Sequence, residues 1–105
     1  MALLLQGGLS AAAQAPAAHH TFTNPLKVNG PDPWVIQHDG YYYYTNTMGS
    51  NITLWKSKTL DGVKQATGVL VWTPPAAGPN STNIWAPELH FLAGKWYLYL
   101  SLIHI

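Results

Sequence analysis

Four carboxylates are the only acids in this chain of 105 residues: Asp32, Asp39, Asp61 and Glu88. Asp32 is singled out by its neighbours, Gly30-Pro31-Asp32-Pro33-Trp34-Val35, which place it between two prolines at the head of an apolar run. Each proline fixes its own φ and disfavours the helical region for the residue before it. An extended backbone is therefore expected at Pro31 and Asp32, with the carboxylate direction set by the main chain. A solvated acid needs no such restraint. Pro and Asp are also ordinary turn residues, so a polar turn leading into a strand stays open as the other reading. Glu88 ends the run Trp85-Ala86-Pro87-Glu88. Asp39 and Asp61 each precede a glycine and read as structural turn residues. His38 and His90 fall in strand patterns, where core or edge packing outweighs metal ligation. No metal-ligating set emerges. With no cysteine there is neither a disulfide framework nor a thiolate site.

The composition narrows what these acids can serve. Five lysines and no arginine are scattered along a chain of net charge +1, which gives no basis for binding nucleic acid or an anionic membrane. Only 9% of residues are charged while 48% are hydrophobic, enough for a core but little to keep an isolated surface soluble. The excess is aromatic, with five Trp, six Tyr and two Phe. Trp and Tyr join a flat apolar face to a polar handle, which suits packed strands and equally suits surfaces that stack sugar rings.

The elements that must position these residues are strands. Residues 34–38 form a strand of mixed faces, Asp39-Gly40 is a strong two-residue hairpin signal, and residues 41–45 supply the return strand. Residues 47–51 read as a turn. Ile52-Thr53-Leu54-Trp55-Lys56-Ser57 alternates as a half-buried strand should. A turn at Leu60-Asp61-Gly62 leads to a short strand over 69–72, closed by Pro74-Pro75, and residues 76–83 form a loop. No helical apolar period extends beyond a turn or two. The stretch 85–99 then superposes on the first hairpin at a shift of 54 residues, with Pro33 on Pro87, Val35 on Leu89, Gly40 on Gly94 and Tyr43 on Tyr97. Four strands per unit at a period near 50 residues is the pattern of a propeller blade, a unit that buries its faces only between neighbours.

Upstream, residues 1–18 are small, apolar and uncharged, with a hydrophobic region over 3–9 and small-residue cleavage sites at 11–15, and His19-His20 follow in a polar linker. This predicts the remains of a secretory signal peptide lacking its basic n-region, hence a secreted or periplasmic protein. The expected organisation is a partial signal peptide and linker over 1–20, the N-terminal part of a propeller over 21–100, and a tail over 101–105 that is uncertain as native sequence. Asn51-Ile52-Thr53 and Asn80-Ser81-Thr82 fit the N-glycosylation pattern, which matters only in a eukaryotic secretory host.

The order and spacing of Gly30-Pro31-Asp32-Pro33-Trp34-Val35, the Asp39-Gly40 hairpin with its four tyrosines, Ile52-Thr53-Leu54-Trp55-Lys56-Ser57 and Ile84-Trp85-Ala86-Pro87-Glu88-Leu89-His90 resemble the N-terminal part of glycoside hydrolase family 43. That family includes arabinofuranosidases, arabinanases and β-xylosidases. The resemblance runs from about residue 24 to 99 and implies an all-β fold, the first blade and part of the second of a five-bladed β-propeller. It also implies a sugar site at the mouth of the central funnel and inverting hydrolysis of arabinose- or xylose-containing plant carbohydrate. Asp32 then matches the general base that activates water, a role that requires a deprotonated carboxylate held apart from the acid. Trp85 and Glu88 match the wall of the first sugar subsite. Glu88 is not the general acid. In the family that Glu, and the Asp that orients it, lie on later blades, and neither motif occurs here. Some members hold calcium at the propeller axis, but no ligand for it is identifiable in these residues, and no other cofactor is implied.

The fragment alone is therefore expected to be inactive. The alternative function is a non-catalytic glycan-binding β-propeller; a later-blade Glu in the full sequence supports the enzyme, and its absence favours this alternative. A fructan-cleaving relative ranks lower, because those enzymes usually place Asn where Pro31 precedes Asp32.

Overall fold

The computed structural model describes residues 21–102. The leader expected at 1–20 and the last three residues of the expected tail lie outside them. Six strands and one short 3₁₀ turn make an all-β arrangement. Strands β1 (Trp34–His38), β2 (Tyr41–Thr45), β3 (Ile52–Ser57) and β4 (Val69–Trp72) form one antiparallel sheet in the order β1-β2-β3-β4. Strands β5 (Ile84–Leu92) and β6 (Lys95–Leu102) form a second, two-stranded sheet. One complete blade is thus followed by the opening hairpin of the next.

The turns follow from local chemistry. Asp39 and Gly40 have φ of 49° and 76°, and Ala93 and Gly94 have 50° and 78°. Both pairs meet the demand of a type I′ turn for positive φ at its two central residues, and this turn's twist matches that of the strands it joins. The registers are identical at the 54-residue shift: His38 faces Tyr41 as Leu92 faces Lys95, and Val35 faces Tyr44 as Leu89 faces Leu98. The expected repeat is therefore a structural repeat. The turn expected at Leu60-Asp61-Gly62 is a 3₁₀ turn over Asp61–Lys64, which buries Val63 completely under the first blade.

The small core consists of Tyr44, Ile52, Val63, Ile84 and Leu89, with Thr45 and Asn46 buried beside them. Ile84 is 1% exposed and opens β5, so the second hairpin is anchored to the first blade at its first residue. Along the seam β1 and β2 lie against the second hairpin through rings. Trp34 meets His90 at 5.0 Å, His38 meets Phe91 at 4.0 Å, and Tyr43 meets Trp96 at 5.0 Å. Trp34 Nε1 donates to the Leu89 carbonyl at 2.9 Å, so its polar handle ties one blade to the main chain of the next. His38 and His90 are packing residues of this seam, as their strand positions implied.

Candidate active site

Asp32 sits just before β1 and is exposed. Its φ is 49°, in the left-handed region, where an extended backbone was expected from Pro33. The proline rule is overridden locally by two bonds from Thr47. The Thr47 N–H donates to the Pro31 carbonyl at 2.9 Å, and Thr47 Oγ1 donates to Asp32 Oδ2 at 2.9 Å. Asp is among the few non-glycine residues that visit positive φ readily, which lowers the cost. The main chain does aim the carboxylate, but by a kink.

The same kink recurs one repeat later. Ala86, 54 residues on and likewise before a proline, has φ 45°. There β5 bulges between Trp85 and Glu88, a device that re-aims side chains at the cost of ladder bonds. The Ala86 N–H, released from the ladder, donates to Thr47 Oγ1 at 2.7 Å. Pro87 is buried beneath the bulge, and Glu88 stands out from it with a half-exposed side chain.

Asp32 and Glu88 line one cavity of about 140 Å³, with Pro33, Trp34, Ala86 and Pro87 as its other walls. The structure therefore brings together the two carboxylates singled out by their neighbours. Glu88 accepts from or pairs with His90 Nε2 at 3.0 Å through Oε2, and His90 is itself held between the rings of Trp34 and Tyr99. Glu88 is not buried against backbone amides: it is exposed and paired with a histidine. Trp85 does not enter this cavity. It is 44% exposed and lines an adjacent hollow of about 410 Å³ with Asn29, Pro31, Asn46, Thr47, Met48 and Gly49. Thr47 stands between the two hollows.

The remaining acids are structural. Asp39 is in the β1–β2 turn, 3.5 Å from His38. Asp61 pairs with Lys64 at 2.8 Å and accepts the Thr23 N–H at 3.0 Å. The bond from Lys64, then that from Thr23, holds the Asp61 carboxyl below its ordinary value of 3.8. Among the described residues no three His, Asp, Glu or Cys side chains gather as a metal site requires. Thr47 is the site residue that reasoning from sequence missed. Its partners lie 15 and 39 residues away, and no motif marks a lone threonine after a hairpin.

Chemically, the arrangement offers two exposed carboxylates, Asp32 and Glu88, at a small cavity walled otherwise by Pro33, Trp34, Ala86 and Pro87. The chain is 45% identical over 102 residues to an extracellular exo-alpha-(1->5)-L-arabinofuranosidase of Streptomyces avermitilis, covering 93% of this chain and 21% of the relative. It is 39% identical to the enzyme of the same description from Streptomyces chartreusis, covering 95% of this chain and 30% of that one. Among solved structures, the alpha-L-arabinofuranosidase of Lactobacillus brevis superposes with a TM-score of 0.72 at 39% identity, over 75% of this chain and 26% of that one. The chain thus spans between about a fifth and a third of the length of these relatives. The sequence profile described as Glycosyl hydrolases family 43 matches residues 22–104, and on that match together with these identities the chain belongs to glycosyl hydrolases family 43.

Proposed function

We propose that the protein to which these residues belong is a secreted glycoside hydrolase that removes α-L-arabinofuranosyl units with inversion at the anomeric carbon, and that Asp32 is its general base. The observation that carries the reading is the setting of Asp32: an exposed carboxylate, held by Thr47 and facing a cavity shared with Glu88. In the proposed step Asp32 takes a proton from water as the water oxygen attacks the anomeric carbon. The glycosidic C–O bond breaks on the opposite face, and its oxygen receives a proton from a second carboxyl.

That second carboxyl lies about 6.5–9.5 Å from the base in inverting enzymes, and it comes from a later blade of the longer protein. Asp39, Asp61 and Glu88 are each engaged with His38, Lys64 and His90. Glu88, fixed by His90, hydrogen-bonds a sugar hydroxyl, and Trp85 flanks the sugar from the adjacent hollow. The arabinofuranosyl preference, over a xylosyl one, is supported by relatives that are described as arabinofuranosidases, and secretion by two of these being extracellular enzymes together with the leader-like residues 1–20. No helix among the described residues is long and apolar enough to cross a membrane.

The test is to follow cleavage of a short α-1,5-linked arabinofuranosyl oligosaccharide by the full-length protein with proton NMR. The expected first product is the β anomer. Asp32→Asn should lower kcat about 10²–10⁴-fold. A first-formed α anomer, or undiminished turnover by that variant, would sink the assignment. Binding of the oligosaccharide without any cleavage would instead favour a glycan-binding propeller.

A further inference from the structure

Thr47 grips both rims of the Asp32 cavity through one oxygen. Its Oγ1 lies 2.7 Å from the Ala86 nitrogen and 2.9 Å from Asp32 Oδ2. An amide N–H only donates and an ionised carboxylate only accepts, so the single hydroxyl proton is committed to Asp32 while a lone pair takes the amide. The main chain around it is equally fixed. The Thr47 N–H donates to the Pro31 carbonyl, its own carbonyl accepts Asn46 Nδ2 at 3.0 Å, and Asn46 is 4% exposed. Two residues on, the Gly49 carbonyl accepts the Ile84 N–H at 3.2 Å. Residues 46–49 therefore lie as a clamp between the approach to β1 and the entry to β5. The two residues that the hydroxyl holds, Asp32 and Ala86, both have positive φ before a proline.

We propose that Thr47 is a positioning residue for the hydrolytic step: its hydroxyl aims Asp32 and sets it against the wall formed by 86–88. The inference rests on the reading of Asp32 as the base. Because Thr47 engages Oδ2, Oδ1 is the oxygen that takes the proton from water in this reading. The other charged or titratable groups at this cavity are Glu88 and, bonded to it, His90. Thr47 bonds to neither.

The test compares Thr47→Val, which keeps the shape and removes the hydroxyl, with Thr47→Ser, which keeps the hydroxyl, in the full-length protein on an arabinofuranosyl oligosaccharide. A small misplacement of a reacting group costs up to about 100-fold in rate, so Thr47→Val should lower kcat about 10- to 100-fold with KM within about 2-fold. Thr47→Ser should return kcat to within about 3-fold of the parent. If Thr47→Val does not fold, Thr47→Ala is judged against Thr47→Ser in the same way. Unchanged kcat in the hydroxyl-free variant overturns the inference, as does an equal loss in the serine variant. A rise in KM with kcat retained also overturns it, since Thr47 would then act through the Trp85 wall. Asp32→Asn separates the two ideas: if it retains turnover, the base assignment fails, whereas a dead Asp32→Asn beside a fully active Thr47→Val defeats the role of Thr47 alone.

Discussion

Asp61 shows how the acids of this chain divide their work. Lys64 donates to it at 2.8 Å and the Thr23 N–H at 3.0 Å, an arrangement that fastens residue 23 to the 3₁₀ turn beneath the first blade. Because its folded-state pKa is depressed, the contribution of this group to stability is present above its ordinary value of 3.8 and is lost as pH falls through the lower folded value. In the full-length protein, carbon-detected titration of the Asp61 carboxyl should show a midpoint below 3.8 that returns towards it in Lys64→Met. An unmoved midpoint would show that the ion pair does not form in solution. The structural role of Asp61 was legible from the glycine after it; its partner at 23 was not, since nothing local records a contact 38 residues long. Asp32 is the reverse case. Its flanking prolines announced a directed carboxylate, and the direction arises from a left-handed kink that no proline rule contains, because a distant hydroxyl decides it.

At the scale of the strand, the two hairpins invite direct comparison because one register serves both. The first uses Asp39 ahead of its glycine at φ 49°, and the second uses Ala93 at φ 50°. An alanine in the left-handed region costs roughly 1–2 kcal/mol, whereas Asn and Asp tolerate it. Ala93→Asn should therefore stabilise the protein by about 1 kcal/mol, read as a shift of the denaturant midpoint at constant m. A destabilised variant would mean that the turn does not keep this geometry. Strand boundaries were legible to this degree because the turns carry their own chemistry: β1, β2, β3 and β4 fall where alternation, Asp39-Gly40 and the flanking breakers placed them. The bulge between Trp85 and Glu88 was not, since Pro87 within a strand pattern signals interruption without saying which residue swings out. Trp85, expected in the wall of the first sugar subsite, accordingly lines the hollow next to the cavity of Asp32.

For the whole molecule, residues 21–102 hold one blade and a hairpin, and large apolar side chains stand exposed on the outer strands. Val69, Leu70 and Val71 on β4 are 61%, 58% and 43% exposed, and Tyr97 and Tyr99 on β6 are 41% and 53% exposed. A propeller covers such faces with further blades. Residues 1–105, expressed alone, are expected to release no arabinose from an aryl arabinofuranoside, because on the proposed reading the second carboxyl comes from a blade beyond these residues. Measurable release, absent from an Asp32→Asn control, would show that these residues carry both groups. The repeat made this architecture legible before any coordinates, as the shift of 54 residues is preserved pair for pair.

The placement of Thr47 has a mechanical corollary. The group proposed to do the chemistry is fastened to the joint between two leaves of the sheet assembly rather than to the interior of either one. Loosening that joint, by mild denaturant or heat, should silence the enzyme while both leaves are still intact, so that inactivation runs ahead of melting.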